Sequence, residues 1–295
     1  MLGGCISKEN IFKNEPLKNH VSFKTGGNAK FFVTPQTPDE LVCLVKTLKD
    51  NGEKYFVLGN GSNILVSDFG FDGTVICIGK NMSEITVNGN EITAMAGALL
   101  SKIANVACKN SLSGFEFASG IPGSLGGAVM MNAGAYGGEM KDVVVKTSYL
   151  SKDGTLKYVT GDKHCFAYRK SVFKEGDVIL SSVISLKEGN CDDIRSIMND
   201  LNSRRREKQP LEYPSAGSTF KRPEGYFAAK LIEDAGLRGF RLGGAMVSQK
   251  HCGFVINYDN ATSSDIYNLM AHIKEVVYNK FGVVLEPEVR LLGDF

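Results

Sequence analysis

Leu41, Leu44, Val45 and Leu48 recur at helical spacing, which predicts a helix over residues 38–51 with one buried face. Thr37 is the expected N-cap, Pro38 suits the first helical position, and Glu40 completes a capping box. Gly52 supplies the stop. Short apolar runs bounded by turn residues predict strands at 54–59, 64–67, 74–78, 84–87 and 91–96. A second helix over 99–109 turns Leu100, Ile103, Ala104 and Ala107 inward. Strands follow at 143–150, 156–160 and 178–186, then a helix over 192–206 with Ile194, Ile197, Met198 and Leu201 inward. That helix ends in Arg204, Arg205 and Arg206 ahead of Pro210, which places the main domain boundary between 1–205 and 206–295. The remainder predicts a helix near 226–235 and a longer one over 265–280, capped by Ser263 or Ser264 and closed by Gly282. A final strand is expected at 283–292. The pattern is mixed α and β in two parts, an α+β chain.

Composition narrows the partners. A formal charge of +2 over 295 residues is too small for nucleic-acid binding, although a local basic site for a small anion stays open. The seven cysteines are scattered without paired metal spacing, which predicts reduced thiols. His20, His164, His251 and His272 are not spaced as a metal pair, so no metal is expected. No run approaches the roughly 20 apolar residues of a membrane span, and the first residues lack the apolar core of a signal peptide. The expectation is a cytoplasmic protein with no membrane partner, a monomer or weak oligomer.

Glycine then changes the picture. Residues 114–138 hold eight glycines where average usage gives about two. The stretch is too apolar for a linker, since Phe115, Phe117, Ile121, Leu125, Val129 and Met130 call for burial. Buried glycine means backbone brought close to a neighbouring segment or a ligand. Gly59-Asn60-Gly61-Ser62-Asn63, between two predicted strands, reads either as a hairpin turn or as a loop of N–H donors for a pyrophosphate. Two such segments in one domain favour a bound dinucleotide, although the Rossmann fingerprint is absent.

Three further segments have both a bland and a functional reading. Arg169, in Tyr168-Arg169-Lys170-Ser171, is a solvated arginine or a fork for a carboxylate. Ser218, in the loop 216–223, is a helix cap or a proton donor. Strand alternation puts Glu286, Glu288 and Arg290 on one face, which is either solvated or lines an anion pocket.

Together these segments resemble the UDP-N-acetylenolpyruvoylglucosamine reductase (MurB) family. The match runs in order through residues 19–27, the loop at 59–63, the stretch 119–138, the run 168–171, the segment 208–223 and residues 286–290. The run from Asp234 to Ala245 is short, so the resemblance is to the shorter type that lacks a tyrosine-bearing insertion. The resemblance implies a PCMH (vanillyl-alcohol-oxidase-like) FAD-binding domain followed by a smaller α/β substrate-binding domain.

It also implies non-covalent FAD, NADPH as reductant and an enolpyruvyl UDP-sugar as substrate. Arg169, Ser218 and Glu288 become the catalytic residues, with Ser218 the proton donor. The cofactor would lie against Gly59, Asn60, Gly61, Ser62, Asn63, Ile64, Leu65, Gly120, Ile121, Pro122, Gly123, Gly126, Gly127, Asn132, Gly134 and Ala135. Tyr168, Arg205, Arg222, Arg290, Gln249 and His251, with Lys208, become substrate contacts. A flavin oxidase acting on an alcohol, or a UDP-sugar-binding module without turnover, are the rival readings.

Overall fold

The computed structural model describes residues 2–295. The chain divides into two compact units. One comprises the residues up to Lys13, Phe31–Asn60 and Gly73–Arg205; the other comprises Asn14–Lys30, Gly61–Asp72 and Arg206–Phe295.

In the first unit, helix α1 (Pro38–Asp50) forms as its pattern predicts, and Leu41, Leu44, Val45 and Leu48 are all buried. The Thr37 hydroxyl accepts from the Glu40 N–H at 3.2 Å, but the Glu40 carboxylate takes the Gln36 N–H at 2.7 Å rather than returning to Thr37. Helix α2 (Leu100–Lys109) buries Leu100, Ile103, Ala104 and Ala107. Both helices pack into one core with Ile76, Ile92, Ala94, Leu180 and Ile184. Burial of each such aliphatic side chain contributes about 1.5–3 kcal/mol, which is what holds these short elements in place.

Two sheets frame that core. Strands Ile11–Pro16, Asn28–Val33, Phe71–Cys77 and Tyr55–Leu58 lie side by side in that order. The second sheet has five antiparallel strands in the order Leu156–Thr160, Val144–Leu150, Val178–Ser185, Glu91–Met95 and Ile85–Asn88. Helix α3 (Leu125–Met130) is short, and α4 (Cys191–Lys208) buries Ile194 and Met198. Ile197, expected inward, is 48% exposed: one apolar stripe is enough to dock a helix with this many charged residues.

The expectation of wholly reduced cysteines is corrected. Cys5 and Cys43 form a disulfide, and Cys77, Cys108, Cys165, Cys191 and Cys252 are free. The two partners lie 38 positions apart, with their Cα atoms 5.5 Å apart. Sequence spacing could not reveal that proximity.

In the second unit, strands Arg241–Leu242, Ala245–Val247 and Val255–Asn257 form a small antiparallel sheet. Helix α5 (Ala228–Asp234) and helix α6 (Ser263–Phe281) share its core through Leu231, Ile232, Ile266, Leu269, Ile273 and Val277. The α6 cap is Thr262, not Ser263 or Ser264. Its hydroxyl accepts from the Asp265 N–H, while the Asp265 carboxylate accepts from the Thr262 N–H, each at 3.0 Å. Gly282 closes the helix at φ +69°.

The N–H groups of Ser263 and Ser264 instead donate to the Asp68 carboxylate, both at 2.8 Å, and the Ser264 hydroxyl adds a bond at 2.7 Å. Burial raises the Asp68 pKa, but the hydrogen bonds from Ser264 and Ser263 outweigh it and hold the carboxyl below its ordinary value.

The expected strand at 283–292 is also corrected. Only Arg290–Leu292 is a strand, parallel to Ile64–Val66. Pro287 has no N–H to give a ladder, so the segment before it pairs only locally with the chain around Phe220.

Thr262→Ala should cost about 1 kcal/mol in denaturant unfolding, whereas a serine cap would predict that loss at Ser263 or Ser264. Because its folded pKa is depressed, the stabilisation from Asp68 is present above the unfolded value, about 3.9, and lost as pH falls through the folded one. The stability gap between wild type and Asp68→Asn should therefore hold at neutral pH and narrow below about pH 4; a gap that widens there would contradict the assignment.

Candidate functional site

Gly59-Asn60-Gly61-Ser62-Asn63 is not a hairpin. Strand Tyr55–Leu58 before it runs parallel to Phe71–Cys77, whereas strand Ile64–Val66 after it runs parallel to Arg290–Leu292. The two flanking strands never pair, so the loop is an exit from one sheet and an entry to another. The N–H groups of Asn60, Gly61 and Ser62 find no backbone acceptor among the described residues.

Within the first unit this loop meets the other glycine-rich segment. The Asn60 side chain donates to the Pro122 carbonyl at 2.8 Å. A Cβ at Gly59 would collide with the Ser124 hydroxyl. That hydroxyl is buried without a hydrogen-bond partner, an arrangement that costs about 1–3 kcal/mol unless something supplies one. A bare backbone at Gly59, an unpaired serine hydroxyl and the Asn60 N–H, which finds no backbone acceptor, suit a pyrophosphate. Ser124 was missing from the sequence expectation. Its only signal is a hydroxyl inside a run of glycines.

The expected cofactor residues separate into lining and framework. Gly120, Ile121, Pro122, Gly123, Gly126, Gly127, Gly134 and Ala135 keep some surface, as do Gly59, Asn60, Ser62 and Asn63. Ile64 and Leu65 are buried, and Leu65 belongs to the core of the second unit. Gly61 is dictated by protein packing. Its φ is +62°, and a Cβ there would strike the His20 carbonyl and come within 2.9 Å of Val21 Cα. Gly126 likewise packs on Ala96, where a Cβ would lie 2.9 Å from the alanine methyl.

Asn132 is fully buried, and its side chain is committed. It donates to Glu139 at 3.0 Å and to the Ala167 carbonyl at 3.1 Å, and accepts from the Lys141 N–H at 2.9 Å. Ala167 opens the turn that carries Arg169, closed by backbone bonds between Ala167 and Lys170 at 3.0 and 3.1 Å. Ser171 pins its far side by donating to the Met130 carbonyl at 2.6 Å.

Arg169 itself sits at φ +53°, a left-handed conformation that a long side chain rarely adopts. Its guanidinium lies 5.1 Å from the Tyr168 ring. Glu139, held down in pKa first by its hydrogen bond with Lys141 and also by Arg169, completes this network.

Arg205 projects from α4 toward Gly120, whose missing Cβ would approach its Cδ to 3.2 Å. Burial pulls its pKa down, with Tyr136 opposing. Among the described residues it has no carboxylate partner.

In the second unit Ser218 is exposed, at the bend beside Gly217 (φ +76°). It is not a helix cap, since α5 begins at Ala228. The next residue is locked: the Thr219 N–H donates to the Gly253 carbonyl and its hydroxyl accepts from the Val255 N–H, each at 2.8 Å. The Thr219 carbonyl takes the Glu288 N–H at 2.9 Å, so Ser218 and Glu288 share one backbone frame. Asn63 extends it by donating to the Glu288 carbonyl at 3.0 Å and accepting from the Arg290 N–H at 3.0 Å.

His251 lies beside this frame, its Nδ1 accepting from the Gly253 N–H at 3.2 Å, and burial lowers its pKa. Arg222 packs 4.6 Å over the Phe227 ring. Gln249 is exposed and tied to Arg238 through its carbonyl, while Lys208 is exposed at the end of α4.

The glycine cradle and the comparisons with known proteins agree on the class. The FAD binding domain profile matches residues 29–160, which makes the chain an FAD-dependent oxidoreductase. The profile of the UDP-N-acetylenolpyruvoylglucosamine reductase C-terminal domain matches residues 209–292.

Proteins named UDP-N-acetylenolpyruvoylglucosamine reductase from Clostridioides difficile (strain 630) and Caldanaerobacter subterraneus subsp. tengcongensis are 51% and 50% identical to it. Each alignment spans 98% of this chain and 95% or 96% of the relative. The crystal structure of the Thermus caldophilus enzyme of that name superposes with a TM-score of 0.82 at 32% identity, over 96% of this chain and 98% of that one. The chain belongs to the UDP-N-acetylenolpyruvoylglucosamine reductase family. An alkyldihydroxyacetonephosphate synthase, 15% identical with a TM-score of 0.50 over 63% of this chain and 40% of its own, shares the fold alone. No helix among the described residues is long and apolar enough to cross a membrane.

The packing around Gly61 makes a substitution there a test of folding rather than of flavin approach. Gly61→Ala should lower the stability of the flavin-free protein by at least about 2 kcal/mol, because a backbone carbonyl cannot move aside. Unchanged unfolding of that variant would return Gly61 to a purely ligand-facing role.

Proposed function

We propose that this chain catalyses the NADPH-dependent reduction of the enolpyruvyl group of UDP-N-acetyl-3-O-(1-carboxyvinyl)-glucosamine. The product is UDP-N-acetylmuramate, a cytoplasmic precursor of peptidoglycan. The family membership supports the reaction class. The single observation that carries the residue assignment is the exposed Ser218 hydroxyl, held between Gly217 and the fully anchored Thr219 in one frame with Glu288.

Gly59, Asn60, Ser124 and their neighbours would hold FAD, which would supply the hydride chemistry when bound. The protein supplies charge and a proton. Arg169 stabilises the negative charge that develops on the substrate carbon and its carboxylate, an interaction stronger in the transition state than in the ground state. The Asn132 network, by fixing the Ala167–Lys170 turn, keeps that guanidinium from relaxing away. Ser218 gives its proton to the substrate carbon. Glu288 is the carboxylate that orients substrate or relays that proton. Arg205, Arg222 and Arg290 each contact a substrate anion, and Tyr168, Gln249, His251 and Lys208 are further substrate contacts.

Two measurements test this reading. Acid precipitation of the purified yellow protein should release free FAD into the supernatant; flavin retained in the pellet, or protein that never binds flavin, would overturn the non-covalent assignment. Ser218→Ala should leave bleaching of the flavin by NADPH near wild type. Reoxidation by the enolpyruvyl substrate should slow by about 10² to 10⁴ in stopped-flow absorbance, the contribution of a positioned general acid. Equal reoxidation rates for wild type and variant would remove Ser218 from proton transfer.

A further inference from the structure

Outside the glycine cradle, the first unit holds a second constellation with chemistry in it. Cys108, near the end of α2, and Cys191, the first residue of α4, are 83 positions apart, yet their sulfurs lie 3.4 Å from each other. No covalent bond joins them. The gap is roughly 1.3 Å longer than a disulfide bond.

The two thiols are not equivalent. Cys108 is 1% exposed, whereas Cys191 retains partial exposure. An Arg195 N–H reaches the Cys191 sulfur at 3.7 Å, one helical turn along α4, so an anion formed on that sulfur has a cation beside it. Burial, followed by the contact with Cys191, holds the Cys108 thiol above its ordinary pKa. Neither residue contributes to the proposed flavin or substrate sites.

We propose that Cys108 and Cys191 form a peroxide-responsive dithiol, in which Cys191 is oxidised first and Cys108 resolves it to a disulfide. The Cys191 thiolate attacks one oxygen of a hydroperoxide, the O–O bond breaks, and a sulfenic acid and hydroxide result. The Cys108 sulfur then attacks the Cys191 sulfur. Its proton leaves with the departing oxygen as water, and the S–S bond forms. In sum, two thiols lose two electrons and the peroxide gains them. The bond would tie the end of α2 to the start of α4, the helix that carries Asn202 and Arg205.

The test treats the full-length flavin-loaded protein with a small excess of hydrogen peroxide, alkylates the remaining thiols and maps peptides without reduction. The expected product joins the peptides of Cys108 and Cys191, lighter by two hydrogens than the reduced pair. It should be absent from Cys108→Ser and Cys191→Ser, and restored as free thiols by dithiothreitol. In Cys108→Ser, or in Cys108→Ala should the first fold poorly, a 1,3-dione reagent should label Cys191. Oxidised wild type should also melt at a higher temperature than reduced wild type, with the difference lost in either variant. Full alkylation of both cysteines after peroxide treatment would overturn the proposal. So would accumulation of sulfinic acid at Cys191 with Cys108 still free, or dione labelling at Cys108 in place of Cys191.

Discussion

The two glycine-rich segments of the first unit meet at one close approach, the bare backbone of Gly59 against the side chain of Ser124. No residue with a Cβ fits there unless the serine moves. The approach joins the end of strand Tyr55–Leu58 to the segment entering α3, and the bond from Asn60 to the Pro122 carbonyl fixes its register. The serine hydroxyl left unpaired by this packing is an expense the apo-protein carries. A polar ligand would remove it. The same contact therefore brings the two glycine-rich segments together and leaves a hydroxyl for a ligand. Helices α1 and α2, which build the core, contain no glycine.

A second dependency runs through Asn132. Its amide is the hub that connects Glu139, Lys141 and the carbonyl of Ala167, and it is wholly inside the protein. An arginine at positive φ is strained, and strain persists only where the surroundings over-determine the backbone. The bonds between Ala167 and Lys170, the Ser171 anchor and the Asn132 hub supply that constraint. The side chain of Asn132, which the family resemblance places against the cofactor, is committed to this framework. A buried asparagine satisfies several backbone groups at once, and a glycine-rich neighbourhood gives no hint of which it will do.

Legibility in the sequence followed the physics of each element. Helix α1 was readable because one apolar face and a local cap agree, and the strands at 144–150, 156–160 and 178–185 because their patterns answer to a single core. The α6 cap was misread by one residue, since Ser263 and Ser264 are good caps in isolation and Asp68, distant in sequence, claims their N–H groups. The exposed Ile197 and the Cys5–Cys43 bond failed for the same reason: which apolar or thiol group meets a partner is a long-range fact. The loop at 59–63 looked like a hairpin because Asn-Gly encodes a turn, while the pairing of the flanking strands is decided elsewhere. Of the candidate site, the sequence offered residue types but not their supports, such as the Asn132 hub and the Thr219 anchors.

Ser218 and Glu288 make that last point physically. Alternation along 285–290 set Glu288 on the face of Glu286 and Arg290, as if a strand were to present all three. Pro287 prevents the strand, and the backbone at Glu286 and Glu288 turns instead to Lys221 and Thr219. The consequence is favourable for chemistry. A ladder would align Glu288 with its strand neighbours, whereas local pairing aligns it with the residue next to Ser218. Thr219, bonded through its N–H, its carbonyl and its hydroxyl, has no freedom left to transmit disorder between the two. A poor acid such as serine is useful only when its position is fixed before the reaction begins, because the orientation need not then be found during the barrier crossing. The interruption that Pro287 imposes on the strand is thus the reason the backbone of Glu288 is tied to Thr219, the residue next to Ser218.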